Sequence, residues 1–332
     1  MTDDEMTGPA ASFGSLLERH RRELHVHCYR MTASVDTADD LVQETFERAW
    51  KGREHFEGRS SMRTWLYRIA TNACLDHLKR AERRTVLATF DDVLESDTSI
   101  QPYPDSRLPE GRLPAGRLPD TDDPLQSIAS KETVELALIA ALQHLPERQR
   151  AALIGRDLLG WTAAETAEAL QVSESSANSL VQRARRDLRH RTPAERDRWR
   201  RPVLDAADRV VLRRYVEAHE RGDAATIVAM LDEGIGITMP PEPPCRGLDA
   251  AAAFFEAILA PDRPDEWRLV LTSANGQPAT ANYRRSGDDV TFRAISLDVL
   301  HLTGGRIDTI NCFLGQASFV HFGLPLERPP SV

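Results

Sequence analysis

The sequence contains few cysteines, and they lie far apart. Cys28, Cys74, Cys245 and Cys312 form no C-x-x-C pair, so the sequence predicts neither a zinc site nor a disulfide framework. We therefore expect reduced thiols in a cytoplasmic protein, with no metal and no cofactor.

Long apolar runs and an excess of positive charge are also missing. No run is long enough to span a bilayer, and the first residues carry no secretory signal pattern. The 42 Lys and Arg are outnumbered by 51 Asp and Glu, which gives a net charge of −9. This balance argues against a general nucleic-acid binder, so any nucleic-acid surface must be a local basic patch.

The chain length of 332 residues exceeds one typical core, and breaks in composition predict several domains. The segment RLPEGRLPAGRLPD repeats a short Pro- and Gly-rich unit that cannot form a core. The predicted parts are a disordered tail (1–12), an all-helical domain (13–86), a flexible acidic Pro-rich linker (87–123), a second all-helical domain (124–192), a junction (193–202) and a C-terminal domain (203–332).

Residues 158–191 predict two helices joined by a tight turn. Thr162 and Glu165 form a capping-box pattern for the first helix, and Ser173 is a natural N-cap for the second. Apolar residues recur at helical spacing on the second helix, while its other face carries amides and arginines. Such a face suits base-edge reading in a DNA major groove. An ordinary helical hairpin with a solvated basic face is the alternative.

The helix predicted from about residue 34 to Trp50 carries a stripe of acidic residues. Acids at its N-terminal end, from Asp36 to Asp40, fit the helix dipole. The stripe continues to Glu47, which lies beyond the first turn. The residues alone leave two interpretations open, dipole compensation or a docking face for a basic partner.

Trp65 lies near the start of the next predicted helix, after a Gly/Ser-containing segment and between arginines. A tryptophan in this setting can stack on an unpaired base. The alternative is that Trp65 closes the edge of the helical core.

Taken in order, three segments resemble an extracytoplasmic-function (ECF) sigma factor of bacterial RNA polymerase. They are DTADDLVQETFERAW, FEGRSSMRTWLYRIATNACLDHLKR and LPERQRAALIGRDLLGWTAAETAEALQVSESSANSLVQRAR. The resemblance covers residues 13–191 and implies all-α domains, sigma region 2 followed by a helix-turn-helix region 4. It implies core RNA polymerase, through the β′ clamp helices and the β flap, and promoter DNA as partners.

The resemblance also implies three sets of site residues. The core polymerase-binding set is Asp39, Asp40, Gln43, Glu44 and Glu47. The set expected to read and melt the −10 element is Arg59, Ser60, Ser61, Arg63, Trp65, Arg68 and Asn72. The set expected to read the −35 element is Ser175, Ser176, Asn178, Ser179, Gln182, Arg183 and Arg186. Family recognition helices often carry basic residues where this chain has Asn178 and Leu180, whereas Arg183 and Arg186 match family basic positions.

Beyond Pro202, predicted helices are followed by predicted strands, which indicates an α+β cone with a curved antiparallel sheet. This part resembles the SnoaL-like, NTF2-like domain of some ECF sigma factors, through MPPEPPCRGLDAAAAFF and FVHFGLP. Asp298, His301 and Tyr283 are the candidates for catalysis. Asp298 and His301 are an odd number of residues apart on one strand and should point to opposite faces, so we predict no enzyme.

The sequence therefore predicts a sigma factor whose C-terminal domain modulates its activity. A small ligand in the cone is a possible further partner, and no membrane partner is expected. The loop 240–247 and the segment 319–325 are candidate regulatory surfaces. Two rival hypotheses are an NTF2-like enzyme or ligand binder with a helical DNA-binding domain, and a helix-turn-helix repressor. The first would need a convergent acid/base cluster in the cone, and the second normally requires a symmetric dimer.

Overall fold

The computed structural model describes residues 9–56, 58, 60–82, 100–109, 134–191, 205–240, 242–260, 265–287 and 289–329. The chain divides into two compact units. The first, the N-terminal unit, comprises residues 1–88 and 107–196, and the second, the C-terminal unit, comprises residues 89–106 and 197–332.

The first part of the N-terminal unit is helical, as predicted. Its α-helices are α1 (Pro9–Glu18), α2 (Arg21–Thr32), α3 (Val35–Gly52) and α4 (Met62–Glu82). The sequence predicts a continuous first helix, but the chain breaks between Glu18 and Arg21. Between α2 and α3, Ala33 has a left-handed backbone (φ 57°), and the Ser34 side chain accepts the Thr37 N–H at 3.1 Å. This turn brings α3 back against α2, since a left-handed residue ends a helix sharply.

The second part of the N-terminal unit contains the predicted helix-turn-helix. Its α-helices are α5 (Leu136–Gln143), α6 (Glu147–Leu153), α7 (Ala163–Leu170) and α8 (Glu174–Arg191), with a π-helical turn at Ile154–Leu158. The Thr162–Glu165 capping box is present, and Gln171 has a left-handed backbone at the turn (φ 53°). Ser173 Oγ accepts the Ser176 N–H at 3.2 Å. These caps are each worth about 0.5–2 kcal/mol and fix where α7 and α8 begin.

A buried arginine helps to hold the N-terminal unit together. The Arg150 side chain on α6 donates to the carbonyl oxygen of Met31 at the end of α2, and to Gln143 and the carbonyl of Leu145. Burial lowers the pKa of Arg150 to about 10, so its side chain stays charged at neutral pH. A buried charge needs hydrogen-bond partners, and the bonds that both Nη groups of Arg150 make to these oxygens fix the position of α6.

The C-terminal unit is an α+β domain around one mixed sheet. Its described helices are α9 (Ala206–Glu220), α10 (Ala224–Ala229), α11 (Leu248–Ile258) and α12 (Ala317–His321). Its described strands are β1 (Leu231–Met239), β2 (Glu242–Arg246), β3 (Asp265–Ala274), β4 (Gln277–Ser286), β5 (Phe292–Thr303), β6 (Arg306–Leu314) and β7 (Glu327–Arg328).

The strand order is β2-β1-β6-β5-β4-β3, with β7 paired to β5. The predicted α+β fold is confirmed, with one departure from an antiparallel sheet, because β1 runs parallel to β6. Part of the predicted Pro-rich loop 240–247 is the edge strand β2, which pairs with β1. The open edge needs no N–H donor and so accommodates one of the adjacent Pro243 and Pro244, and the irregular pairing of β1 between Ile237 and Met239 accommodates the other. Phe319, predicted to lie on a regulatory surface, is fully buried and belongs to the core.

The predicted flexible linker contains an ordered segment. Tyr103 is fully buried in the C-terminal unit. Its N–H donates to Asn275 Oδ1 at 2.7 Å, and its carbonyl accepts the Asn275 N–H at 2.8 Å. Asp105 Oδ1 accepts the Gly276 N–H at 2.7 Å. The prediction of flexibility across the whole of residues 87–123 is therefore wrong for residues 100–106. Composition alone does not reveal that a single buried tyrosine anchors the segment.

Close packing at the π-helical turn gives a stability prediction. A Cβ on Gly155 would lie 2.5 Å from Cε3 of the buried Trp161 ring. We expect Gly155→Ala to destabilise this turn by about 1–3 kcal/mol, because the ring must move. The measurement is amide hydrogen exchange in peptides covering residues 147–170, which should accelerate. Gly14→Ala is the control, since a Cβ there would meet no neighbouring atom within 4 Å. Equal exchange in Gly155→Ala and the parent chain would contradict the packing.

Candidate partner and nucleic-acid interfaces

The acidic residues of α3 lie on its surface, opposite a buried apolar face. Asp39, Asp40, Gln43 and Glu47 are exposed, and Glu44 is half-buried. The buried side of the helix is formed by Val35, Ala38, Leu41, Val42, Thr45, Phe46 and Ala49. The helical period that packs α3 into the core therefore also presents the acidic stripe, as the sequence predicted.

Two members of this acidic stripe already have partners within the N-terminal unit. Arg107 Nη1 lies 2.8 Å from Asp39 Oδ2, and His25 Nε2 lies 3.1 Å from Asp39 Oδ1. Glu44 pairs with Arg48 at 2.6 Å. Burial lowers the pKa of His25 to about 4 even though Asp39 opposes this shift. Arg107 was not predicted as a site residue, because it is distant from Asp39 in sequence and lies in the predicted linker.

The residues predicted to read the −10 element gather at the start of α4, and several have internal partners. Ser61 Oγ accepts the Thr64 N–H at 3.1 Å and so caps the helix. Trp65 is half-buried, with its ring centroid 5.0 Å from that of Phe56. Ser60 and Asn72 are half-buried. Arg59 lies outside the described residues.

The two described arginines of the −10 set are engaged in ion pairs. Arg63 Nε lies 2.7 Å from Glu23 Oε2. Arg68 Nη2 lies 2.5 Å from Glu168 Oε1 on α7, also within the N-terminal unit. A phosphate or base that contacts these arginines competes with the carboxylates for their N–H donors. Ion pairs of this partly exposed kind are worth about 0–1 kcal/mol, so the exchange is energetically accessible.

The residues predicted to read the −35 element form one continuous exposed face of α8. All of them are exposed: Ser175, Ser176, Asn178, Ser179, Gln182, Arg183 and Arg186. The opposite face is buried through Ala177, Val181, Ala184 and Leu188. The bidentate pair of Arg185 with Asp157, at 2.5 and 3.1 Å, ties α8 to the π-helical turn. The helix is therefore held by its buried face and this ion pair, which leaves the polar face exposed.

A groove beside this face contains a basic residue that the sequence reasoning missed. Arg148 on α6 lines a groove of about 380 Å³ together with Ser175, Ser179 and Arg183. Arg148 Nη2 donates to the carbonyl of Leu170 at 2.5 Å, at the end of α7. The sequence shows that Arg148 is a basic residue shortly before the helix-turn-helix. It does not show that α6 packs against α8, which brings Arg148 to this groove. Arg148 adds a second cation beside Arg183.

The three candidates for catalysis in the C-terminal unit have separate environments. Asp298 lines a cavity. His301 Nδ1 is instead 2.8 Å from Asp308 Oδ1, and the Tyr283 hydroxyl donates to the carbonyl of Pro325 at 3.0 Å. Asp298 and His301 therefore have different partners, as strand alternation predicts.

The cavity contains a polar cluster that the sequence analysis did not identify. Asn282 Nδ2 donates to Asp298 Oδ2 at 2.6 Å and to Ser296 Oγ at 3.0 Å. Burial raises the pKa of Asp298 to about 6, opposed by hydrogen bonds from Ser296, Cys312 and Asn282. Ser296 and Asp298 are two residues apart on β5, and Asn282 on β4 lies opposite Ser296. The alternation of side chains along β5 could have placed Ser296 and Asp298 on the same face. Only the register between β4 and β5 shows that Asn282 joins them.

In the described ranges of the chain, no group of three or more His, Cys, Asp or Glu side chains is placed to hold a metal ion. No helix in those ranges is both long and apolar enough to cross a membrane. The four cysteines, all described, are free thiols.

Three family models match the chain in the order of its domains. The model for Sigma-70 region 2 matches residues 16–84, that for Sigma-70 region 4 matches residues 135–188, and that for the SnoaL-like domain matches residues 212–310. Both predicted resemblances are therefore confirmed by independent matches.

Relatives in known proteins agree with these matches. The chain is 40% identical over 323 residues to the ECF RNA polymerase sigma factor SigG of Mycobacterium tuberculosis, covering 97% of this chain and 85% of SigG. It is 30% identical to the sigma factor SigM of the same organism, over 55% of this chain and 78% of SigM. The crystal structure of the M. tuberculosis sigma factor SigJ superposes with a TM-score of 0.56 at 22% identity, covering 95% of this chain and 99% of SigJ, and supports the fold.

The environment of Asp298 predicts how stability depends on pH. Its folded-state pKa of about 6 lies above the ordinary 3.8, so the folded form binds the proton more tightly, and stability falls as pH rises from about 4 to 6. We expect Asp298→Asn to stabilise the C-terminal unit at neutral pH by on the order of 2–3 kcal/mol. Thermal unfolding of both chains across this pH range measures the difference, which should shrink towards pH 4.

The control for this experiment has the opposite sign. Burial raises the pKa of Asp308, but hydrogen bonds from His301, Thr303 and Thr309 outweigh burial, so the net shift is downward. Asp308→Asn should therefore destabilise the unit at neutral pH and have less effect in acid. Burial also lowers the pKa of His219 to about 4. Because the parent chain and both variants contain His219, its contribution to the pH dependence of stability cancels when they are compared. A pH-independent effect of Asp298→Asn would contradict the assignment.

Proposed function

Because the chain belongs to the ECF family of RNA polymerase sigma factors, we propose that the acidic stripe of α3 is its docking surface on core RNA polymerase. The proposed residues are Asp39, Asp40, Gln43, Glu44 and Glu47. The observation that carries this proposal is that α3 buries its apolar face and exposes the acids along more than one turn. An acidic surface of this kind suits a basic partner such as the β′ clamp helices.

Arg107 would compete with polymerase for this surface. Its guanidinium already neutralises Asp39 within the N-terminal unit. Since polymerase cannot contact Asp39 while Arg107 holds it, docking requires the residues around Arg107 to move away. An exposed ion pair contributes little free energy, so a basic partner with several contacts can displace it.

We propose that α8 reads the −35 element and that the start of α4 reads and opens the −10 element. The exposed amide, hydroxyl and guanidinium groups of α8 support the first assignment, and Arg148 is added as a phosphate contact because it lines the same groove. For the −10 element, Trp65 is accessible enough to stack on a base, while Phe56 supports its ring. The β flap is proposed as the polymerase partner of region 4 by family resemblance alone.

The C-terminal SnoaL-like domain is proposed to modulate activity by binding the connection between regions 2 and 4. Residues 100–106 lie between the two matched regions in sequence, and the backbone and side chain of Asn275 hold Tyr103. Fixing the middle of a connection limits how far its two ends can separate. Since regions 2 and 4 must reach two separate promoter elements, release of this segment should favour the active form.

A small ligand in the cavity of the C-terminal domain is proposed as the signal for this modulation. Binding in a domain core can shift a conformational equilibrium only through differential affinity for its two states. The cavity beside Asp298 is the available site.

The docking proposal predicts a loss of polymerase affinity when the acids are reversed. Asp40 and Glu47 are exposed, whereas Glu44 pairs with Arg48 and is unsuitable for a clean test. We expect Asp40→Lys with Glu47→Lys to weaken core binding at least about tenfold at low salt, with a smaller loss at high salt because screening removes the same attraction. Titration of labelled chain with purified core polymerase measures both affinities.

The matched control is Glu217→Lys with Glu256→Lys, which makes the same charge change at exposed positions of the C-terminal unit. The control should bind core with nearly unchanged affinity. If both double variants lose affinity equally, net charge alone explains the loss, and the α3 assignment is wrong.

The modulation proposal predicts that Asn275→Gly raises transcription. Asn275 has a left-handed backbone (φ 56°), so glycine keeps the turn and removes the buried side chain that accepts the Tyr103 N–H. A lost hydrogen bond of about 1 kcal/mol shifts the docking equilibrium about fivefold towards release. Amide exchange in residues 100–109 should accelerate, and transcript yield with core polymerase should rise.

Asn311→Gly removes a comparable side-chain acceptor, the one for the Thr238 hydroxyl, elsewhere in the C-terminal unit and serves as the control. It should resemble the parent chain both in amide exchange of residues 100–109 and in transcript yield. Faster exchange without any change in transcript yield would show that docking of this segment does not limit activity.

A further inference from the structure

The cavity of the C-terminal unit lies between its helices and its sheet. It is lined by residues of α9, α11 and of strands β1, β3, β4, β5 and β6, and its volume is about 150 Å³. An apolar cavity of about this volume in another protein binds benzene. The space therefore fits a molecule with one ring or a short branched chain.

A carboxylate without a cationic partner lies at this cavity. Asp298 is only 5% exposed, and no ion pair to a basic side chain is found for it in the described ranges of the chain. Its Oδ2 accepts a hydrogen bond from the Asn282 amide at 2.6 Å, and Ser296 and Cys312 line the same cavity. Carboxylates are almost never buried unless they are paired with a cation. The site therefore lacks the positive charge that would normally accompany Asp298.

The basic groups that line the same cavity do not fill this role. Arg284 pairs with Asp265 at 3.7 Å, and its guanidinium lies 5.8 Å from the centroid of the Trp267 ring. His219 lies at the cavity too, but burial lowers its pKa to about 4, so the imidazole is neutral at neutral pH. The negative charge of the Asp298 carboxylate is therefore not balanced by either of these basic side chains.

Buried polar atoms around the cavity are unsatisfied. Asp298 Oδ1 and Asn282 Oδ1, two acceptors, have no hydrogen-bond partner within the protein. Trp267 Nε1 and both ring nitrogens of His219 are also without one. Leaving such a group unpaired in an apolar interior is unfavourable. The two acceptors belong to side chains already joined by the Asn282–Asp298 hydrogen bond, so a single donor group could satisfy both.

Aromatic rings form one part of the wall, and aliphatic side chains such as Ile258 and Ile310 form another. The His219 ring lies 5.2 Å from Trp267 and 6.2 Å from Phe255, and Tyr215 lies 6.5 Å from Phe255, with edge-to-face geometry. A carboxylate beside aromatic faces is a suitable environment for an organic cation, which gains both an ion pair and cation–π attraction.

We propose that this cavity is a binding site for a small organic amine, with a primary ammonium group held by Asp298 and Asn282 and an apolar body of about one ring against the aromatic wall. The ammonium supplies the missing charge and the missing donors together. This proposal deepens the sensing role proposed for the C-terminal domain. Binding is measured without polymerase, so a failure of the site and a failure of the regulation are seen separately.

The experiment compares three ligands of nearly equal shape on the full chain. Benzylamine carries the cation, benzyl alcohol a neutral donor, and benzoate an anion. Titration calorimetry at neutral pH should give benzylamine an affinity at least about tenfold above that of benzyl alcohol, in line with a charge-assisted hydrogen bond, and benzoate should not bind. Benzylamine affinity should fall as Asp298 gains its proton in acid, while that of benzyl alcohol stays constant.

Asp298→Asn tests the assignment of the carboxylate, and circular dichroism checks its fold. This variant should bind benzylamine no better than benzyl alcohol. Asp249→Asn, an exposed position on α11, is the matched control and should keep the tenfold preference for the amine.

Three outcomes would overturn the proposal. Benzyl alcohol or benzoate binding as tightly as benzylamine would show that charge does not govern the site. An unchanged amine preference in Asp298→Asn would place binding elsewhere. No binding of any of the three at millimolar concentration would show that the cavity holds water.

Discussion

Burial of one face of each amphipathic helix is the constraint on which the functional surfaces depend. On α8, Ala177, Val181, Ala184 and Leu188 pack inward, and because the helix repeats every 3.6 residues the positions between them must face outward. The same logic places the acids of α3 outside. The proposed docking and reading surfaces are therefore exposed as a consequence of core packing.

Exposure alone does not make these surfaces available. Arg107 pairs with Asp39, and Glu168 pairs with Arg68, so one charge proposed to contact polymerase and one proposed to contact DNA are already paired within the N-terminal unit. The Arg107–Asp39 and Arg68–Glu168 pairs are partly exposed, and ion pairs of this kind are individually weak. They can set which arrangement of the free chain predominates and still give way to a partner that offers several contacts at once. The short chain segment that contains Arg107 also contains Tyr103, which is buried in the C-terminal unit.

The C-terminal unit departs from ordinary packing at its cavity. Its hydrophobic core is formed by side chains such as Leu212, Ile235, Leu300 and Ile310, and the buried His301 and Asp308 away from the cavity pair with each other. Beside the cavity a carboxylate, an amide, an indole and an imidazole retain unpaired atoms. Apolar residues of similar size would give a more stable core, since unpaired buried polar groups are destabilising. A polar cluster that lowers stability in this way is expected where a ligand is bound, and it is the feature least explained by folding alone.

The sequence by itself determined the helices, their exposed faces and the family. The periodicity of α3 and α8, the Thr162–Glu165 capping box and the order of the three matched segments are local properties, and each is set by residues within a few turns of one another. What only the tertiary structure decided were pairings between residues distant in sequence: Arg107 with Asp39, Tyr103 with Asn275, and Asn282 with Asp298. The parallel pairing of β1 with β6 belongs to the same group. A one-dimensional pattern fixes which face of an element is buried, but it does not specify the partner that covers it, because partner choice depends on strand register and helix packing across the whole chain.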